Sequence, residues 1–219
     1  RQTNYYHSAV SELNRLQWLP APLHFVVQEQ PLTAELVNLH FQQISQLSEQ
    51  LDKQLSPALF FARAMEFALV QDYSSAIDDC TQALQLTTDR EQVAVITFCR
   101  ANWRYKLLQY RRATGEQTEK MSMDFDIMLR DYDQVVRLCP DFTFAYYNKA
   151  NILCMQREWQ VAISHYTQAI AVDADFAEAY FNRGLTYIYT DLPEQGLTDL
   201  SKAGELGIYQ AYNLITRFQ

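Results

Sequence analysis

Between Thr143 and Ile208 the chain states one unit twice, thirty-four residues apart. The first copy runs Ala145-Tyr146-Tyr147-Asn148-Lys149-Ala150, then Trp159-Gln160-Val161-Ala162, then Tyr166-Thr167-Gln168-Ala169-Ile170. The second runs Ala179-Tyr180-Phe181-Asn182-Arg183-Gly184, then Pro193-Glu194-Gln195-Gly196, then Leu200-Ser201-Lys202-Ala203. Large apolar and small residues recur at the same offsets. Two antiparallel helices read this way when small residues let their backbones approach. A period of this length marks a solenoid, in which no single unit can bury its own apolar face.

The small columns extend the pattern upstream. Ala150, Ala162 and Ala169 are twelve and then seven residues apart, as are Gly184, Gly196 and Ala203. Ala64, Ala76 and Ala83 repeat both steps inside Pro57–Thr88, where Ser56 is an N-cap and Pro57 suits the first helical position. A fourth unit, Glu91–Pro140, carries Phe98-Cys99-Arg100-Ala101-Asn102 in its first helix. Its second carries Phe125, Met128, Leu129, Tyr132, Val135 and Leu138. Extra residues near 108–123 interrupt this unit, either as a loop on one face or as a projecting extension of both helices.

Helical elements are expected at both ends. In Thr33–Gln54 the stripe Val37, Phe41, Ile44, Leu47 and Leu51 forms one apolar face, with polar residues opposite, and we read it as a cap. Residues 208–219 form a last short helix with the stripe Ile208, Ala211, Tyr212, Ile215 and Phe218, after Gly207 as C-cap. Such a cap leads us to expect Gln219 near the end of the natural chain. Residues 1–32 read as irregular. Tyr6, Val10, Leu13 and Leu16 make a short stripe, the Trp18–Pro22 stretch breaks it, and Leu23–Val27 is an extended apolar run.

The residues quoted above resemble the tetratricopeptide repeat family. The resemblance spans Pro57 to Ile208, about two-thirds of the chain. It departs from the family pattern in places. No Trp opens a first helix, Arg104 stands where an aromatic is usual, and Met128 and Val135 replace small residues. It implies an all-α fold, a right-handed superhelix of antiparallel helix pairs with helical caps. The repeats would be 57–90, 91–142, 143–176 and 177–208, between a capping helix at 33–55 and the terminal helix. The whole chain also resembles the C-terminal part of longer bacterial proteins of this family. Arg1 is not a Met, which we read as a processed form or a piece of a longer protein. An upstream export signal would send it to the cell envelope or periplasm; without one it would be cytoplasmic.

Composition bounds the function. Only five glycines are present, and they are scattered, so no phosphate-cradling loop can form. A net charge of −8 argues against nucleic acid as the partner and favours basic or neutral ones. No apolar run approaches the roughly 20 residues of a membrane span. The four histidines show no metal-ligand spacing, and Asp78-Asp79 and Asp124/Asp126 fit no metal loop. Cys80, Cys99, Cys139 and Cys154 form no C-x-x-C pair and read as buried thiols. We therefore expect no catalytic centre and no cofactor.

The resemblance implies that the first helix of each repeat lines the concave face. One column there reads Phe61, Phe98, Tyr147 and Phe181, and the next reads Met65, Asn102, Asn151 and Leu185. Aromatics would anchor a peptide, and the Asn amides would pair with its backbone. The alternative is that both columns pack between helices. A basic column, Arg63, Arg100, Lys149 and Arg183, faces acids at Asp79, Asp131 and Asp199, which reads as ion pairing within repeats. The expected function is a non-enzymatic interaction module for a protein or peptide. The alternative is a spacer or terminal unit of a longer scaffold, its groove filled by its own N-terminal segment.

Overall fold

The computed structural model describes residues 31–115 and 121–218. All ten elements among them are α-helices. α1 spans Ala34–Lys53, α2 Pro57–Leu69, α3 Tyr73–Leu86, α4 Arg90–Ala113 and α5 Met121–Leu138. α6 spans Thr143–Met155, α7 Trp159–Val172, α8 Ala177–Tyr189, α9 Pro193–Glu205 and α10 Gln210–Phe218. The chain divides between Cys139 and Pro140 into two compact units. The stripe at Tyr6–Leu16, the run Leu23–Val27 and residues 116–120 of the insertion lie outside the described residues.

Helix starts follow local chemistry. Thr33, Ser56, Asp72 and Asp89 each accept a backbone N–H three residues on, which satisfies one orphan donor of α1 to α4. Pro57 and Pro193 occupy first-turn positions where no N–H is needed. The turns between paired helices share one design. Gln71, Arg157 and Asp191 all have φ near +64°. The next residue then donates back to the last turn: Asp72 N–H to Phe67 C=O, Glu158 to Leu153 and Leu192 to Tyr187, at 2.8–2.9 Å. Gly207, at φ +111°, makes the same closure through Ile208 N–H and Ala203 C=O.

In the unit that ends at Cys139, α2 packs on α3 and α4 on α5, with α1 against α2 and α3 against α4. Ala64, Ala76, Ala83 and Ala101 are fully buried, and so are Met128 and Val135, which stand in small-residue positions. Of the insertion near 108–123, residues 108–113 continue α4 and residues 121–123 begin α5. α4 has 24 residues against 13 in α2, and α5 has 18 against 14 in α3. In the unit from Pro140, α6 pairs with α7 and α8 with α9, and α10 packs on α9. α8 crosses α9 closely. A Cβ on Gly196 would lie 2.7 Å from Gly184 O and 2.5 Å from Ile188 Cγ1.

The terminal helices differ in detail from the sequence reading. α1 buries only Leu51, and Phe41 at the edge of its stripe is 54% exposed. In α10 the buried residues are Ala211 and Leu214, behind Ile208, while Tyr212 is exposed and lays its ring over Gly204. Leu214 belongs to the same face as Ala211, three residues on, so the stripe turns slightly from the one expected.

One joint recurs between successive helices. Arg63 donates to Ser48 of α1 at 2.9 Å, Arg100 to Thr81 of α3 at 3.4 Å, and Arg183 to Thr167 of α7 at 3.0 Å. Each hydroxyl in turn donates to the carbonyl of an Ile four residues back, at Ile44, Ile77 and Ile163. α1 thus meets α2 in the way that α3 meets α4 and α7 meets α8.

Candidate functional site

The expected columns separate sharply in exposure. Phe61 is half-buried and Met65 is 41% exposed, both on α2. Phe98, Asn102, Tyr147, Asn151, Phe181 and Leu185 are each 0–3% exposed. At these six positions the columns pack among helices, and Phe61 and Met65 keep accessible surface. The rings are drawn in by aromatic neighbours. Phe98 meets Tyr132 at 6.0 Å between centroids, and Tyr147 meets Tyr166 at 6.0 Å and Phe176 at 4.8 Å. Phe61 lies 6.4 Å from Trp103.

The Asn residues are held by tyrosine hydroxyls. Tyr132 donates to Asn102 Oδ1, and Tyr166 donates to Asn151 Oδ1, both at 2.5 Å. In the unit from Pro140 this grows into a buried polar network across α6, α7 and α8. Asn182 Nδ2 donates to Asn151 Oδ1 and to Tyr147 Oη, each at 3.0 Å. Thr186 donates to Asn182 C=O at 2.7 Å, and Cys154 Sγ lies 3.7 Å from Tyr166 Oη and 3.6 Å from Thr186 Oγ1. Burial pushes the Cys154 thiol up to about 11 and raises the Tyr166 phenol well above its usual range. Asn151 Nδ2 is buried and has no partner among the described residues.

Asn148 and Asn182, thirty-four residues apart, form an Asn column that was not singled out in the sequence. Its spacing was visible; its meaning was not, because only packing shows that Asn182 reaches the Asn151 amide. Both Asn148 and Asn182 are fully buried.

The basic column forms the expected ion pairs in three places. Arg63 grips Asp79 with Nε and Nη2 at 2.7 and 2.8 Å, and Arg183 grips Asp199 at 2.6 and 2.7 Å. Arg100 grips Asp131 at 3.1 and 2.8 Å. These forks match the carboxylate geometry, and hydrogen bonding to Asp79 raises the Arg63 pKa above its usual value. At Asp199 burial works against ionisation and raises its pKa, although Arg183 pulls it back. The fourth pair differs: sixteen residues after Lys149 stands His165, whose ring stacks on Tyr146. Among the described residues no group of three or more His, Cys, Asp or Glu could hold a metal, and no helix is long and apolar enough to cross a membrane.

Comparison with known proteins places this geometry. The tetratricopeptide repeat pattern matches residues 150–188, from the middle of α6 to the end of α8. Among curated proteins none matches the sequence. Solved structures do match the fold. MamA aligns with a TM-score of 0.59 at 16% identity, over 77% of this chain and 89% of its own. MamA residues 41-end from Desulfovibrio magneticus RS-1 aligns at 0.60 and 14% identity, over 82% of this chain and 99% of that one. YrrB, described as a TPR protein with an unusual peptide-binding site, aligns at 0.60 and 18% identity, over 81% and 84%. At these identities the likeness is one of fold. Residues 150–188 constitute a tetratricopeptide repeat, and the antiparallel helix pairs of this chain have the tetratricopeptide-repeat fold.

Proposed function

We propose that the chain is a protein-interaction module that holds a peptide segment against the first helices of its repeats. One observation carries the reading: Phe61 and Met65 on α2 keep accessible apolar surface for an anchor side chain, where the other positions of both columns are packed. The peptide-binding site of YrrB, which shares the fold, supports the class of partner. The net charge of −8 favours basic or neutral peptides.

The test is selection from a random peptide display on the full chain, followed by affinity measurement on variants. Phe61→Ala combined with Met65→Ala should abolish capture of the selected peptides while helical circular dichroism is retained. Undiminished affinity in this double variant would sink the assignment.

A second reading is that the chain is a scaffold unit whose own residues 1–30 fill this face. The observation favouring it is the accessible apolar pair Phe61 and Met65 on α2, which an apolar run such as Leu23–Val27 would cover. A chain lacking residues 1–30 that stays folded and gains peptide affinity would support self-occupation. Unchanged affinity in the folded truncation would refute it.

A further inference from the structure

The second helix pair departs from the others where α4 runs on past its first thirteen residues. The added turns leave a cleft of about 170 Å³ against α3 and α5. Its lining includes Arg104, Leu107 and Arg111 of α4, Ile77 and Asp78 of α3, and Asp124 of α5. None of these belongs to the columns discussed above.

Arg104 sets the cleft apart. In two other pairs one carboxylate neutralises one guanidinium, Asp79 with Arg63 and Asp199 with Arg183. Here Asp131, its side chain 8% exposed, serves two: Arg100 takes both oxygens and Arg104 Nη1 adds a bond to Oδ2 at 3.0 Å. That is the one hydrogen bond Arg104 makes among the described residues, out of five N–H donors. Burial depresses its pKa, which records a charge only partly compensated. Arg111 follows two helical turns later on the same face of α4.

The carboxylates of Asp78 and Asp124 decide what fits. A simple anion would be drawn by the two arginines and repelled by the two aspartates. A cation would meet the reverse. A ligand that carries both signs beside an aliphatic body gains from Arg104 and from the aspartates, and covers Leu107 and Ile77. We propose that this cleft is a second docking site, for a short peptide segment that carries an acidic, an aliphatic and a basic residue together. The acidic side chain pairs with Arg104, and the basic one with Asp78.

The test is titration of the full chain with acetyl-Glu-Leu-Lys-amide, followed by the Arg Nε–Hε and backbone amide signals in NMR. The companions are the Glu-Leu-Gln, Gln-Leu-Lys and Gln-Leu-Gln peptides, capped in the same way. The mixed-charge peptide should bind at least about tenfold tighter than the neutral one, with each single-charge peptide in between. Arg104→Gln restores a one-to-one pair at Asp131, so the fold should persist, and it should erase the advantage conferred by Glu. Asp78→Asn, at an exposed position, should erase the advantage conferred by Lys. Met65→Ala should change neither, which separates this site from the first-helix face. Equal response to all four peptides, or full retention of both advantages in the two cleft variants, would overturn the proposal.

Discussion

Asp131 shows how one residue can carry more than its column predicts. By spacing it is the partner of Arg100, but Arg104 also bonds to it. Removing its charge leaves two half-buried guanidinium groups uncompensated, whereas Asp79→Asn leaves one. Asp131→Asn should cost roughly 3 kcal/mol and more than Asp79→Asn, read as the difference in free energy from urea denaturation. Tyr166 is the matching case for a neutral network. Tyr166→Phe removes the hydroxyl that donates to the Asn151 carbonyl and contacts Cys154, and should cost about 1–3 kcal/mol by the same measurement. Cys154 provides a pH test. Its folded pKa, near 11, lies above the ordinary thiol value of 9.0. A raised folded pKa means that the native state keeps a proton the unfolded chain has lost. Its contribution is therefore complete below about pH 9 and declines as pH rises toward 11, by up to roughly 2–3 kcal/mol. Guanidinium melts at pH 8 and pH 10.5 should show a smaller drop in Cys154→Ala than in the parent chain.

Among elements, the α8–α9 pair packs with no room to spare. Gly184 and Gly196 stand in columns that hold Ala in the other units, apart from Met128, and the helices have closed onto the missing Cβ atoms. Gly196→Ala would press Ile188 and the Gly184 carbonyl at once, so overpacking of about 1–3 kcal/mol should exceed the helix-propensity gain of about 1 kcal/mol. Gly204→Ala meets only the Tyr212 ring, whose exposed side chain can swing aside, and should be tolerated better. Thermal midpoints of the two variants rank them directly. The turns between helices behave in the opposite sense. Gln71 holds φ +64° without being a glycine. Gln71→Gly should relieve that strain and raise the thermal midpoint slightly, a gain limited by the added entropy of the unfolded chain. The α4–α5 extension was legible as an insertion because the twelve-residue step broke there. That it became helix rather than loop depended on Trp103, Tyr105 and Leu108, whose burial continues the apolar face of α4 past its usual end.

For the molecule as a whole, a period of thirty-four residues was enough to specify antiparallel helix pairs. Small residues twelve and seven apart permit only that packing. The ion pairs were also readable, because Arg and Asp sixteen residues apart fall opposite one another once two such helices are paired. Periodicity could not say which face of a first helix stays open. Phe61 and Tyr147 occupy one column, yet one is accessible and the other has no exposed surface. That difference arises from Tyr166, Phe176 and Asn182, which reach Tyr147 from two other helices. Nor could spacing reveal that Asn151 would be left with a spare donor, or that Arg104 would share a carboxylate with Arg100. The repeat pattern is local and recurs along the chain, so it survives in one dimension. Exposure and hydrogen-bond partners depend on side chains that meet only after several helices have packed, and tertiary structure alone decides them.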